Sequence, residues 1–342
     1  MSAMPQVSLI VVAYNAATDL RALLADVRAQ TFPMDALEVV LVDSASQDDT
    51  LAVMRGFAAD APMAVQVLEN PGRVLPCGCN IALRACRGAF VVRLDAHARI
   101  APDFLQRGQD ALAQGHDIVG GQVETLPQDT PWRAAIAQAD ASRFGGGAAA
   151  FRNPGTAREV DTLAYPMLRR SAYDAVGLYD ERLVRTEDND MAYRLRKAGY
   201  RFYYTPSIRV ARRARPTLRG LLQQKHQTGR WVGLTMAVQP CAFAPRHFVP
   251  ALFVLALVGG TALALCGLWQ PLAALCAVYA ACDLGFSVQG ACVAPLGRLR
   301  CALCLPWIFP LLHVSYGLGT WRGLMGARRL ARTPKTKGGE RP

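Results

Sequence analysis

Apolar positions fall into two regimes along this chain: short runs between amphipathic stretches as far as residue 235, and long unbroken runs beyond it. Val7–Ala13 is apolar except for Ser8, the pattern of a strand buried on both faces. Residues 18–30 follow, with Leu20, Leu23, Leu24 and Val27 on one helical face. The alternation then repeats, with strands predicted at 37–42, 65–68 and 89–94 and helices at 50–59 and 79–86. Strands and helices at this pace predict a doubly wound α/β fold with a mostly parallel sheet. Right-handed crossovers bring the carboxyl ends of all four strands to one edge, where open α/β sheets bind their ligands.

The next stretch is less regular. Helices are predicted at 103–114, from Ser171, and at 188–198 with Gly199 as a left-handed stop; strands are predicted at 118–123 and 200–204. Residues 143–152 carry three glycines and then three alanines, and read as a mobile loop. Apolar runs at 248–268, 271–294 and 301–321 each reach the roughly 20 residues that span a bilayer. The first is free of charge. The second contains Asp283 and the third Pro306, Pro310 and His313, so a buried helical core competes with a span for these two. The expected domains are a catalytic domain at 1–235, a membrane region of two to three apolar helices at 236–326, and a disordered basic tail at 327–342.

Charge placement sharpens this division. The net charge is +12, and residues 247–342 hold nine of the 38 Lys/Arg but only two of the 26 Asp/Glu. Arg209, Arg212, Arg213, Arg215 and Arg219 precede the apolar runs, and seven Lys/Arg from Arg322 to Arg341 follow them. Basic clusters so placed suit anionic lipid and the cytoplasmic side rather than nucleic acid. With domain and tail both cytoplasmic, an even number of crossings is required, so either one of the last two runs is re-entrant or interfacial, or the charge rule fails for this chain. The ten cysteines show no paired zinc spacing and read as free thiols of a reducing cytosol. No basic segment precedes the short first strand, so no signal peptide is expected.

Several candidate groups fall on the predicted ligand edge. In Arg93-Leu94-Asp95-Ala96-His97, an Asp and a His two positions apart face the same way in extended chain. Asp oxygen suits Mg²⁺ or Mn²⁺, and the imidazole favours Mn²⁺. Asp43 could accept from a base N–H or ribose hydroxyls, or equally serve as a helix N-cap. Tyr14 could stack on a base, and Arg73 could reach a base or diphosphate. Glu187, Asp188 and Asp190 crowd a helix start, where acids complement the dipole or raise one another's pKa as a general base requires.

At these residues the chain resembles family 2 glycosyltransferases of the GT-A fold. The matching elements are Val11-Val12-Ala13-Tyr14-Asn15, Val42-Asp43-Ser44-Ala45-Ser46-Gln47-Asp48, Asp95-Ala96-His97, Val176-Gly177-Leu178-Tyr179-Asp180-Glu181, and Glu187-Asp188-Asn189-Asp190 with Arg194. They run in family order over the first 235 residues. Asn70-Pro71-Gly72-Arg73, Arg93 to Ala98 and His313-Val314-Ser315-Tyr316-Gly317-Leu318-Gly319 are similar to membrane-bound ExoA-like enzymes of succinoglycan biosynthesis. The resemblance implies a GT-A, Rossmann-like domain followed by membrane helices. It implies that Tyr14, Asp43, Asp95 and Arg73 contact a UDP-sugar, and that Asp95 and His97 hold Mg²⁺ or Mn²⁺ at the diphosphate. Asp188 would be the catalytic base, with Glu187 and Asp190 as its rivals.

The activity so implied is inverting transfer of one sugar to a lipid-linked, polyprenyl-diphosphate or envelope glycan. It would take place at the cytoplasmic membrane in exopolysaccharide synthesis, with loop 143–152 closing over the donor. Ser44 and His97 depart from the second Asp common at each place in the family. Gln227-Thr228-Gly229-Arg230-Trp231 matches the Q-x-x-R-W signature of processive synthases, and Arg230 could clamp diphosphate while Trp231 packs on an acceptor. A processive synthase, or a non-catalytic nucleotide-sugar-binding scaffold, are the alternatives.

Overall fold

The computed structural model describes residues 5–146, 149–153 and 155–333, which group into two units. The first holds the chain up to Glu124 and from Ala149 to Arg213; the second begins at Thr125 and resumes at Ala214.

In the first unit the alternating pattern becomes β1 (Val7–Ala13), α1 (Ala17–Arg28), β2 (Leu37–Asp43), α2 (Thr50–Asp60), β3 (Ala64–Glu69), α3 (Leu75–Ala85) and β4 (Phe90–Asp95). The four strands pair in parallel in the spatial order β3-β2-β1-β4. The chain therefore winds one way from β1 to β3 and then returns to the other side of β1, which opens a crevice at the carboxyl ends of β1 and β4. Residues of β1 alternate between two cores. Leu9 and Val11 pack with Leu20 and Leu23 of α1, whereas Ile10 and Val12 pack with Cys79 and Leu83 of α3. Each such side chain contributes about 1.5–3 kcal/mol by leaving water.

The remainder of the sheet is antiparallel where it joins β4, so the sheet as a whole is mixed rather than mostly parallel. It comprises β5 (Ala98–Ile100), β6 (Ile118–Thr125), β7 (Arg158–Val160), β8 (Met167–Arg169) and β9 (Phe202–Arg212). β8 lies antiparallel between β4 and β6, and β9 pairs antiparallel with β5 and β7. α4 (Phe104–Ala113) lies between β5 and β6 in the chain, and α6 (Arg170–Val176) and α7 (Glu187–Lys197) precede β9. Gly199, at φ +94°, ends the turn after α7 as its sequence position predicts.

The second unit is helical: α5 (Pro131–Ala141), α8 (Leu218–Thr235), α9 (Val249–Leu265), α10 (Gln270–Val293) and α11 (Arg298–Ala331). Its boundary differs from the expected break at 235, because α5 and α8 have apolar faces that the later helices cover. Ala135, Ile136, Ala139 and Leu221 are buried with Leu305, Ile308, Phe309 and Leu312 of α11. Gly229 and Gly233 of α8 face the α11 backbone at Tyr316 and Thr320, and Gly319 and Gly323 of α11 face that of α8 at His226 and Arg230. A Cβ on Gly323 would stand 2.0 Å from the Arg230 carbonyl oxygen. Small residues four apart let helix backbones approach this closely.

Three helices, Pro245–Leu265, Gln270–Val293 and Arg298–Ala331, are each long and apolar enough to cross a membrane. The polar residues that counted against the last two are turned inward. Asp283 is buried and accepts from the Ser287 hydroxyl at 3.1 Å. His313 meets the Tyr279 hydroxyl at 2.8 Å and the Phe144 carbonyl at 2.7 Å. The outward faces present Leu252, Leu255, Val258, Val278 and Leu303. α11 continues to Ala331, so the expected tail begins as helix, and its residues 334–342 lie outside the described residues. The loop expected at 143–152 is anchored at its start, where Phe144 stacks on Phe286 at 4.9 Å and Gly145 accepts from Lys225 at 2.7 Å. Gly147 and Ala148 lie outside the described residues.

Candidate active site

Strand register brings the predicted acids to the crevice. Val12 of β1 pairs with Asp95 and Ala13 with Asp43, so the two acids end the strands on either side of β1. Their Cα atoms are therefore two strand spacings apart, about 10 Å. Tyr14, next along β1, is 52% exposed. Asn15 turns the chain at φ +46°; its amide donates to Ser46 Oγ at 3.0 Å and its Oδ1 accepts from Gln47 N at 2.7 Å. The turns after β1 and β2 are thereby laced together.

Asp43 is 3% exposed and caps no helix. Its Oδ2 accepts from Ser46 N at 3.1 Å, and its Oδ1 is buried with no partner. The helix-capping task falls to Asp48, which accepts from Ala17 N at the start of α1 and from Thr50; the Thr50 hydroxyl holds its carboxyl below the usual value. Arg73 is exposed and left-handed at φ +59°, in a turn closed by its amide on Asn70 O at 3.2 Å.

Asp95 and Asp188 meet at a cavity of about 210 Å³ that Arg93, Tyr165, Tyr179, Arg152 and Arg212 also line. Asp95 ends β4, and the Tyr165 hydroxyl donates to its Oδ2 at 3.1 Å. Asp188 stands in the first turn of α7, where its Oδ1 accepts from Asn189 N at 2.8 Å. Asp188 is exposed to solvent at the cavity, yet the protein atoms crowded around its carboxylate desolvate it and push its pKa up, with Arg93 pulling the other way. The same two influences act on Glu187, where burial again dominates and the neighbouring Asp188 charge adds to the rise.

The other acids of this turn have separate tasks. Glu187 is buried and accepts from Arg93 Nη1 at 3.1 Å. Asp190 accepts from Arg194 Nε at 2.9 Å, while Arg194 also donates to the carbonyls of Val176, Gly177 and Leu178. That clamp fixes the loop before α7, and it occupies Asp190 structurally. Arg230 and Trp231 belong to α8, in the second unit.

His97 is exposed in the turn after β4, with buried Ala96 between it and Asp95. Among the described residues no three His, Cys, Asp or Glu side chains form a metal cluster. The chain offers two donors, a carboxylate and an imidazole. Such a partial set fits a hard divalent ion that completes its shell with water and phosphate oxygens.

Two cavity residues escaped the sequence reading. Arg93 interrupts the apolar run of β4, and a charge in a buried strand signals a partner. Tyr165 sits at φ +53°, which no sequence feature announces.

A model described as glycosyl transferase family 2 matches residues 8–177. The succinoglycan biosynthesis protein ExoA of Rhizobium meliloti is 30% identical over 94% of this chain and 96% of its own length. The chain belongs to glycosyltransferase family 2. An undecaprenyl-phosphate 4-deoxy-4-formamido-L-arabinose transferase of Pseudomonas aeruginosa is 30% identical over 37% of this chain and 38% of its own. Among solved structures, a Pyrobaculum calidifontis mannosyltransferase in complex with GDP-Man and Mn²⁺ shares the fold, with a TM-score of 0.58 and 23% identity, covering 94% of this chain and 87% of that one. The protein is thus a glycosyltransferase with a GT-A, Rossmann-like domain and three apolar helices of membrane-spanning length.

Proposed function

We propose that this glycosyltransferase moves one sugar, with inversion, from a UDP-sugar to a lipid-linked acceptor at the cytoplasmic face of the membrane. The observation that carries the reading is the cavity lined by both Asp95 and Asp188. Asp188, with its raised pKa, takes the proton of the acceptor hydroxyl as that oxygen attacks the anomeric carbon. The bond to the nucleoside diphosphate breaks on the opposite side, which inverts the centre. Asp95 and His97 would hold a Mg²⁺ or Mn²⁺ ion, whose chemistry there is to neutralise charge on the departing diphosphate. Asp43 Oδ1, buried and without a partner, is suited to a base N–H, and exposed Tyr14 to the base's face. Arg73 assists at the nucleotide.

A lipid-linked acceptor is supported by the three apolar helices and by the undecaprenyl-phosphate transferase among the relatives. The basic cluster that precedes those helices, from Arg209 to Arg219, favours the cytoplasmic side for the catalytic unit. The test is to incubate membranes holding the protein with radiolabelled UDP- and GDP-sugars, with and without Mn²⁺, and to follow label into the lipid extract. Label from a UDP-sugar supports the reading. Label from a GDP-sugar alone corrects the donor, and label confined to water-soluble products removes the lipid acceptor.

A further inference from the structure

We propose that Arg93 is a positioning residue, bridging the strand that ends in Asp95 and the helix turn that carries Asp188. The inference rests on the roles just proposed for those two acids. Arg93 Nη1 donates to Glu187 Oε1 at 3.1 Å and lies 3.6 Å from Cys79 Sγ. Its Nη2 stands 3.9 Å from Asp95 Oδ1, and its guanidinium carbon lies 5.6 Å from the centre of the Tyr179 ring. Only 16% of the side chain is exposed. One planar, five-donor group therefore reaches both halves of the site, a geometry that a lysine ammonium does not reproduce.

Both carboxylates are held by this arrangement. Asp95 is gripped from its other side by the Tyr165 hydroxyl, and Tyr165 keeps a left-handed backbone that is costly for a bulky residue. Glu187 has its second oxygen buried without a partner, so its anchorage among the described residues is Arg93. Asp188 is the next residue, and fixing Glu187 fixes the turn on which Asp188 stands. A buried ion pair of this kind is rarely more stable than an apolar pair of the same volume. Its position between the two halves of the site argues that spacing, rather than stability, is its task.

The test compares the full-length wild type in lipid nanodiscs with Arg93→Lys and with the double variant Arg93→Met/Glu187→Leu. The double variant is expected to melt no lower than wild type while kcat falls about 100-fold, the penalty of roughly 1 Å of misplacement. Arg93→Lys is expected to lose about tenfold in kcat, because one ammonium meets only one of the two acids, with donor KM unchanged. A folded double variant that keeps kcat within about threefold of wild type overturns the inference. If the double variant does not fold, Arg93→Lys decides: a kcat loss at constant KM supports positioning, and wild-type kcat overturns it. If the wild type transfers no sugar, the proposed function fails, and the structure of Arg93→Lys decides the bridge separately. Displacement of Asp188 from Asp95 by about 1 Å supports it, and unmoved carboxylates overturn it.

Discussion

Glu38 and Asp43 lie five residues apart on the same strand, both almost fully buried, yet the chain treats them oppositely. Glu38, near the amino-terminal edge of the sheet, accepts from the Ser8 hydroxyl at 2.5 Å, the Gly88 amide at 3.0 Å, the Arg87 guanidinium at 3.2 Å and the Arg87 amide. It ties β1, β2 and the turn into β4 together. Asp43, at the carboxyl edge, has one oxygen satisfied and the other without a partner. Glu187, beside the cavity, shows the same half-satisfied state. A buried carboxylate oxygen lacking a donor costs about 1–3 kcal/mol. Both such carboxylate oxygens among the described residues, Asp43 Oδ1 and Glu187 Oε2, belong to Asp43 at the crevice and to the turn that carries Asp188. The satisfied acid ties strands together at a closed edge, and the half-satisfied one keeps an acceptor free at an open edge.

The largest effect that tests this contrast belongs to Asp188. Asp188→Asn keeps the volume and the acceptor for Asn189 N but removes the proton-accepting charge. Transfer is expected to fall about 10³-fold, within the usual range for losing a general base, while donor binding changes less than about threefold. Turnover near wild type would move the base role to another acid.

Next in size is the closed edge. Glu38→Ala removes the acceptor of the buried Ser8 hydroxyl and of the Arg87 amide and guanidinium, and leaves the Gly88 amide only Ser8 Oγ. A loss of about 3 kcal/mol is expected, read by denaturant or thermal melting, with normal turnover per folded molecule. A variant that melts like wild type would erase the distinction between the edges.

The two edges were unequally legible in the sequence, for a physical reason. Strands buried on both faces must be continuous apolar runs, so β1, β2 and β4 stood out and their ends located Asp43 and Asp95. Strands of three residues show no period, and β5, β7 and β8 went unseen; residues 165–168 read only as the approach to a helix. β9 was expected to stop at Tyr204, yet it runs through Pro206 to Arg212, with Ile208 and Val210 buried and Arg209 exposed. α5 was missed although Thr130 and Pro131 form an N-cap and first-turn proline; the Thr130 hydroxyl does accept from Arg133 N at 3.3 Å. The bridge from Arg93 to Glu187 joins residues 94 positions apart and was hidden for that reason.

A smaller effect is expected at the open edge itself. Asp43→Asn leaves Ser46 N an acceptor and cancels a charge whose second oxygen has no partner in the free protein. Donor affinity should fall about ten- to thirtyfold, as loss of a charge-assisted hydrogen bond does, and melting should change by less than about 1 kcal/mol. A stability loss as large as that of Glu38→Ala would make Asp43 a second structural acid.

The finest test is titration. Desolvation by the surrounding protein raises the pKa of exposed Asp188 and of buried Glu187 above those of free carboxyls. The folded state then binds protons more readily than the unfolded chain between the two pKa values. Stability accordingly rises as pH falls through the folded pKa and levels off below the unfolded one. The slope is at most about 1.4 kcal/mol per pH unit for buried Glu187 and less for Asp188, whose exposed carboxylate is screened by water. Activity moves the other way, since the base works only when ionised. The acid limb of kcat should therefore lie above the range of an exposed aspartate, and Asp188→Asn should flatten the slope of stability with pH. An acid limb near pH 4, with the variant's stability slope unchanged, would mean that this carboxylate is solvated like any surface aspartate and that the open edge carries no strained charge.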